Sequence, residues 1–172
     1  MPDTHLHFHI NSSEVIADPE PVIFQMVLTF RITDDDKEHQ DAVKAQIVDS
    51  TNRVVFDKEI VPATGDNGNG DDPNAYYWPS DGDGKHFHSF PLTLVPQVPL
   101  SALGGSKITL SSYTYGGHSD FESWTANVDI RGVTTTGDRT ILLNGQQFQG
   151  VHWNNDTSPG PQTFSLTLGA PA

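Results

Sequence analysis

His5, His7 and His9 alternate with Leu6, Phe8 and Ile10 near the start of the chain. Alternate side chains of a strand leave by the same face, so three imidazoles at this spacing stand side by side, and neutral neighbours can chelate one metal ion. Glu14 completes a His7-x-His9-x4-Glu14 array, and His86-x-His88 repeats the two-imidazole unit later in the chain. His7, His9 and Glu14, with His86 or His88, are therefore candidate ligands for a transition metal. The competing reading is structural. The first three histidines oppose the apolar parity of Leu6, Phe8 and Ile10, which describes a solvated strand face. His86 and His88 share parity with Phe90, Leu92 and Leu94 and would cap the edge of a core. Unless Pro91 breaks that register, the two groups face different environments, and the structural reading is preferred.

A second set of oxygen ligands lies in a stretch rich in Gly, Asp, Asn and Pro at residues 62–85. Asp66, Asp71, Asp72, Asp81 and Asp83 suit the large, irregular shell of Ca²⁺, although their spacing fits no EF-hand loop; a solvated turn-rich loop is the simpler account. The same stretch carries Tyr76, Tyr77 and Trp78. Exposed, these rings would stack on a carbohydrate, a lipid chain or a protein partner; buried, they would anchor the loop. Nucleophilic chemistry has no comparable support. There is no Gly-x-Ser-x-Gly elbow, Ser119-Asp120 beside His118 is only a local cluster, and no Walker loop or dinucleotide-binding glycine pattern occurs.

The elements that must position these residues are strands. Phe24, Met26, Leu28, Phe30 and Ile32 fall on one parity and predict a central strand with one buried face. Alternation recurs at Val43, Ala45 and Ile47 and at Trp124, Ala126, Val128 and Ile130. Residues 53–60, 86–94, 107–115, 139–143, 147–153 and 162–168 add further candidates, giving about ten strands with the N-terminal segment. Helical periodicity is confined to one turn near residues 36–43. Asn144-Gly145 predicts a type I′ hairpin. Without an internal repeat or a composition boundary, residues 1–172 read as a single antiparallel β-sandwich domain with a long loop at 62–85. A cupin-like β-barrel is the alternative.

Composition narrows the partners. With 22 acidic residues against nine Lys and Arg, the net charge of −13 opposes nucleic acid and anionic membrane faces. The chain has no cysteine, which excludes disulfides and thiolate metal sites. Neither a signal-like start nor a transmembrane segment is visible, so a soluble protein is expected, cytoplasmic or secreted without a visible signal peptide.

Two resemblances bear on function. His-x-His-x4-Glu resembles the metal-binding half of the cupin signature, implying a small metalloenzyme, though the flanking glycines and a second motif with a later histidine are absent. Residues 90–144 present an apolar strand running into a Leu-rich connection, then a strand ending at Gly116-Gly117. Asp120 follows shortly before Trp124, and an alternating strand comes after it. That order of features resembles PLAT (lipoxygenase-homology) β-sandwich modules over about a third of the chain. The resemblance implies a noncatalytic accessory role, binding a lipid, membrane or protein partner, in some cases with calcium, and a Trp124 that plugs the sandwich. The expectation is a noncatalytic binding module for a lipid, carbohydrate or protein, with the cupin-like metalloenzyme as runner-up.

Overall fold

The structure, a computed structural model, describes residues 20–34, 37, 41–62, 87–114, 124–134, 147–153 and 162–169. The described residues form eight strands: β1 (Val22–Asp34), β2 (Asp41–Val48), β3 (Val54–Val61), β4 (Phe87–Pro99), β5 (Lys107–Thr114), β6 (Trp124–Thr134), β7 (Gln147–Trp153) and β8 (Gln162–Thr167). A short 3-10 turn, Leu100–Ala102, separates β4 from β5. The strands make two four-stranded sheets in the orders β4-β1-β6-β7 and β3-β2-β5-β8, antiparallel at every pairing. Among the described residues each sheet has two edge strands and no strand pairing joins the two sheets, so the architecture is the expected all-β sandwich and not a closed barrel. Eight strands replace the expected ten; the 139–143 and N-terminal candidates, and the Asn144-Gly145 hairpin, lie outside the described residues. The helical turn expected near 36–43 is corrected at residues 41–43, which start β2, while residues 36 and 38–40 lie outside the described residues.

The inner faces follow from alternation. Met26, Leu28, Phe30 and Ile32 of β1 meet Val43, Ala45 and Ile47 of β2, Ile108 and Leu110 of β5, and Ala126, Val128 and Ile130 of β6 in one core. One residue departs from the expected parity. A register shift between Ile23 and Gln25 turns Ile23 fully inward and leaves Phe24 only half-buried. A bulge of this kind inserts residues into one strand and flips the alternation beyond it. Opposite Phe24, β4 carries the irregular stretch Leu94 to Gln97, with a cis Val95-Pro96 bond. Pro91, by contrast, sits in register with Val27 and leaves the β4 alternation intact.

Trp124 is fully buried between the sheets, as its parity with Ala126 and Val128 predicts. Its ring stacks on Trp153 with centroids 4.0 Å apart, and Trp153 meets Phe164 of the opposite sheet edge-on at 5.3 Å. Three aromatic rings thus tie β6, β7 and β8 together. At the far end of the sandwich the β2–β3 connection is a tight turn. Asp49 is buried, accepts from the backbone and side chain of both Thr51 and Arg53, and pairs with the Arg53 guanidinium at 2.8 Å. Asn52 takes the left-handed conformation (φ 65°) that asparagine tolerates better than most residues.

Candidate functional site

Strand direction sorts the connections. β1, β3, β5 and β7 end, and β2, β4, β6 and β8 begin, at the same end of the sandwich, and each of these four connections passes from one sheet to the other. Charge is sorted with them. The described residues hold seven acidic and seven basic side chains, against 22 and nine in the whole chain. The sandwich strands and turns are therefore neutral in sum, and the net −13 resides in the remaining segments.

Most of the residues singled out by sequence fall in those segments. His7, His9, Glu14, Asp66, Asp71, Asp72, Tyr76, Tyr77, Trp78, Asp81, Asp83 and His86 lie outside the described residues. His88 is described: it occupies an inward-facing position of β4, opposite Phe30, and is half-buried, in keeping with the parity of Phe90 and Leu92. Among the described residues, no three His, Asp or Glu side chains gather into a group that could hold a metal ion.

Near this same end the inner faces become polar. Asp41, Ser112 and Lys37 are buried, and Trp124 and Trp153 close the layer. The Ser112 hydroxyl and the Trp153 indole N–H are buried without a hydrogen-bond partner among the described residues.

The opening that the described residues do form is elsewhere, along the seam where edge strand β3 of one sheet lies beside edge strand β4 of the other. Phe56, Lys58, Glu59, Ile60, Phe90, Pro91, Leu92 and Thr93 line a cleft of about 290 Å³. A second hollow of about 180 Å³ continues it past Val54, Val55 and Val95. The two share Phe56, Lys58 and Thr93. Val54 and Val95 are 49% and 73% exposed, two of three large hydrophobic residues so exposed among the described residues; the third, Phe87, starts β4. Val54 and Val95 border the same hollow, and apolar side chains that adjoin at the surface, unlike ones scattered singly, mark contact sites.

Alternation also sets the electrostatics of the seam. Lys58 pairs with Ala45, whose side chain is in the core, so Lys58 stands on the inward-facing register of β3. Its sequence neighbours point the other way. Asp57 is held by Lys44 at 2.6 Å and accepts from Gln46 across the outer face, and the Lys44 contact lowers its carboxyl below the usual range. Glu59 accepts from the Tyr113 hydroxyl on that same face. Both acids that border the cleft thus have their carboxylates engaged outside it. The Lys58 ammonium has no ion pair or side-chain hydrogen bond among the described residues.

Sequence reasoning missed this site because Phe56, Ile60, Phe90 and Leu92 carry the same alternating signature as core residues, and all four do pack against the core. The signal present in the sequence is Lys58, a charge on the apolar parity of a strand. No helix among the described residues is long and apolar enough to cross a membrane. Comparison with protein-family models, with curated proteins and with solved structures gives no match.

Proposed function

We propose that this chain is a noncatalytic binding or accessory module that recognises its partner through the β3/β4 cleft. One observation carries the reading: an apolar cleft of about 290 Å³ opens between two sheet edges that are unpaired among the described residues, with exposed Val54 and Val95 extending it. Its volume lies at the small end of ligand pockets, which suits one apolar group or a short chain. The sandwich supplies a rigid frame for it, since both walls are strands hydrogen-bonded to the central β1 and β2.

The likeness to PLAT modules belongs to this reading. It is supported by the passage of the chain between sheets at Leu100–Ala102 and again between β5 and β6, and by Trp124 lying between the sheets. Calcium is carried with the likeness as a property of the acidic segments.

A titration of ¹⁵N-labelled protein followed by NMR tests the reading. The probes are cellohexaose, maltohexaose, mixed phosphatidylcholine–phosphatidylserine vesicles with and without Ca²⁺, and peptides selected from a phage-displayed library. At least one class should perturb residues 54–60 and 90–95 saturably, and Val54→Asp with Val95→Asp should weaken it. If every probe leaves those residues unmoved, the reading is wrong.

A further inference from the structure

The chemistry of the cleft names its ligand more narrowly than its shape does. Four side chains, Phe56, Ile60, Phe90 and Leu92, give it apolar walls, and it contains one cationic group, Lys58. A lysine in this position keeps its methylene stem along the apolar wall and its ammonium at the mouth, where it meets water. The carboxylates that border the cleft are spent on the outer face, Asp57 on Lys44 and Glu59 on Tyr113. Glu59 keeps its negative charge in its hydrogen bond with Tyr113 but turns its carboxylate to the outer face, and Lys58 is the cleft cation that no acid engages among the described residues.

Resting on the binding-module reading, we propose that the β3/β4 cleft binds an aliphatic carboxylate, its chain lying between Phe56, Ile60, Phe90 and Leu92 and its carboxylate on the Lys58 ammonium. The complementarity runs through both halves of such a ligand. Burying the chain removes apolar surface from water on both sides, and the carboxylate meets a cation that no protein acid among the described residues neutralises. A neutral alcohol of the same length would gain only the first term. An alkylammonium would be repelled by Lys58. The described residues sum to neutral, with seven acidic and seven basic side chains.

A structural role for Lys58 is the competing explanation, since inward-pointing charges on edge strands discourage edge-to-edge pairing. The experiment separates the two. Full-length protein is titrated with decanoate, 1-decanol and decyltrimethylammonium, each below its aggregation limit, by calorimetry and by ¹⁵N NMR. Wild type is compared with Lys58→Gln and Lys58→Glu, whose folding is checked by melting temperature.

The expected result is saturable decanoate binding with shifts at residues 56–60 and 90–93. Lys58→Gln should weaken it about tenfold or more, the loss of one charge-assisted contact, and Lys58→Glu should favour the alkylammonium instead. If all three probes bind alike and Lys58→Gln changes nothing, the carboxylate assignment is overturned while the cleft remains a binding surface. If none of the three moves the cleft residues, the assignment is overturned as well. The oligosaccharide, vesicle and peptide titrations then decide separately whether the cleft binds anything.

Discussion

Trp124 and Trp153 face each other across the β6/β7 pairing and stack at 4.0 Å with an interplanar angle of 21°. Both are fully buried, and Trp153 reaches Phe164 on the opposite sheet. Truncating either ring opens a cavity at a point where two sheets are joined. Trp124→Ala is expected to cost about 3–5 kcal/mol, as large aromatic truncations in cores do. The check is the denaturant midpoint. A shift no larger than that of an exposed-site variant such as Thr163→Ala would contradict the inter-sheet role.

Ser112 offers a change of the opposite sign. Its hydroxyl is fully buried on β5 with no hydrogen-bond partner among the described residues, between Val43 and Gln162 in the register. A buried polar group left unsatisfied costs about 1–3 kcal/mol. Ser112→Ala removes it at almost no loss of volume, so thermal unfolding should move to higher temperature. A fall would mean that the hydroxyl is satisfied in solution.

The β2–β3 turn should make stability depend on acid. Burial pushes the Asp49 carboxyl up, but the hydrogen bonds from Thr51 and Arg53 outweigh it and hold the carboxyl at about 2, below its ordinary 3.8. A folded-state value below the unfolded one means stability that is present above the unfolded value and lost as pH falls through the folded one. Asp49→Asn should therefore be less stable than wild type at neutral pH, by about 1–3 kcal/mol for a buried hydrogen-bonded charge. The gap should close between about pH 4 and pH 2. Chemical denaturation across that window measures it; a gap independent of pH would exclude the carboxylate as its source.

Gly150 carries a local backbone requirement. It has φ 55°, sits where β7 gains a residue against Asn127, and its N–H donates to the Asn127 side-chain oxygen at 2.7 Å. The space a methyl group would fill there is open, so the cost of Gly150→Ala is conformational, about 1–2 kcal/mol for an L-residue in the left-handed region. Asn127→Ala should weaken the same bulge. Melting temperatures of the two single variants and the double variant test whether the effects are coupled, as a shared hydrogen bond demands.

How much of this is legible in the sequence depends on whether alternation survives. Met26 to Ile32, Val43 to Ile47 and Trp124 to Ile130 alternate without interruption, and their inward faces follow directly. Phe24 breaks the expectation because the bulge beside Ile23 is a tertiary feature, set by the pairing of β1 with an irregular stretch of β4 that no local pattern in β1 reports. The cleft is hidden for a related reason. Whether Phe90 faces a closed core or an open seam depends on which strand lies across from it, and partners distant in the chain leave no periodic trace. Lys58 is the exception, a charge on an apolar parity, but its signal is faint because β3 reads as a half-polar edge.

Lys58 yields the last prediction, which bears on why a charge should be there at all. Among the described residues β3 is an edge strand hydrogen-bonded to β2, and it carries the exposed Val54 and the half-buried Phe56 and Ile60 on its length. Such an edge can template pairing with another chain unless a charge or a bulge prevents it. β4 has its own protection in Pro91 and Pro96, which cannot donate to a ladder. On β3 that duty falls on Lys58 and on the register shifts at either end of the strand. Lys58→Val would leave an apolar row of Val54, Phe56, residue 58 and Ile60 beside an open cleft. It should raise concentration-dependent self-association in sedimentation velocity, whereas Lys58→Gln, still polar, should sediment as wild type. Folding stability of both should stay within about 0.5 kcal/mol, as exposed substitutions do. Equal sedimentation of wild type and Lys58→Val across the concentration range would remove edge protection as an account of Lys58.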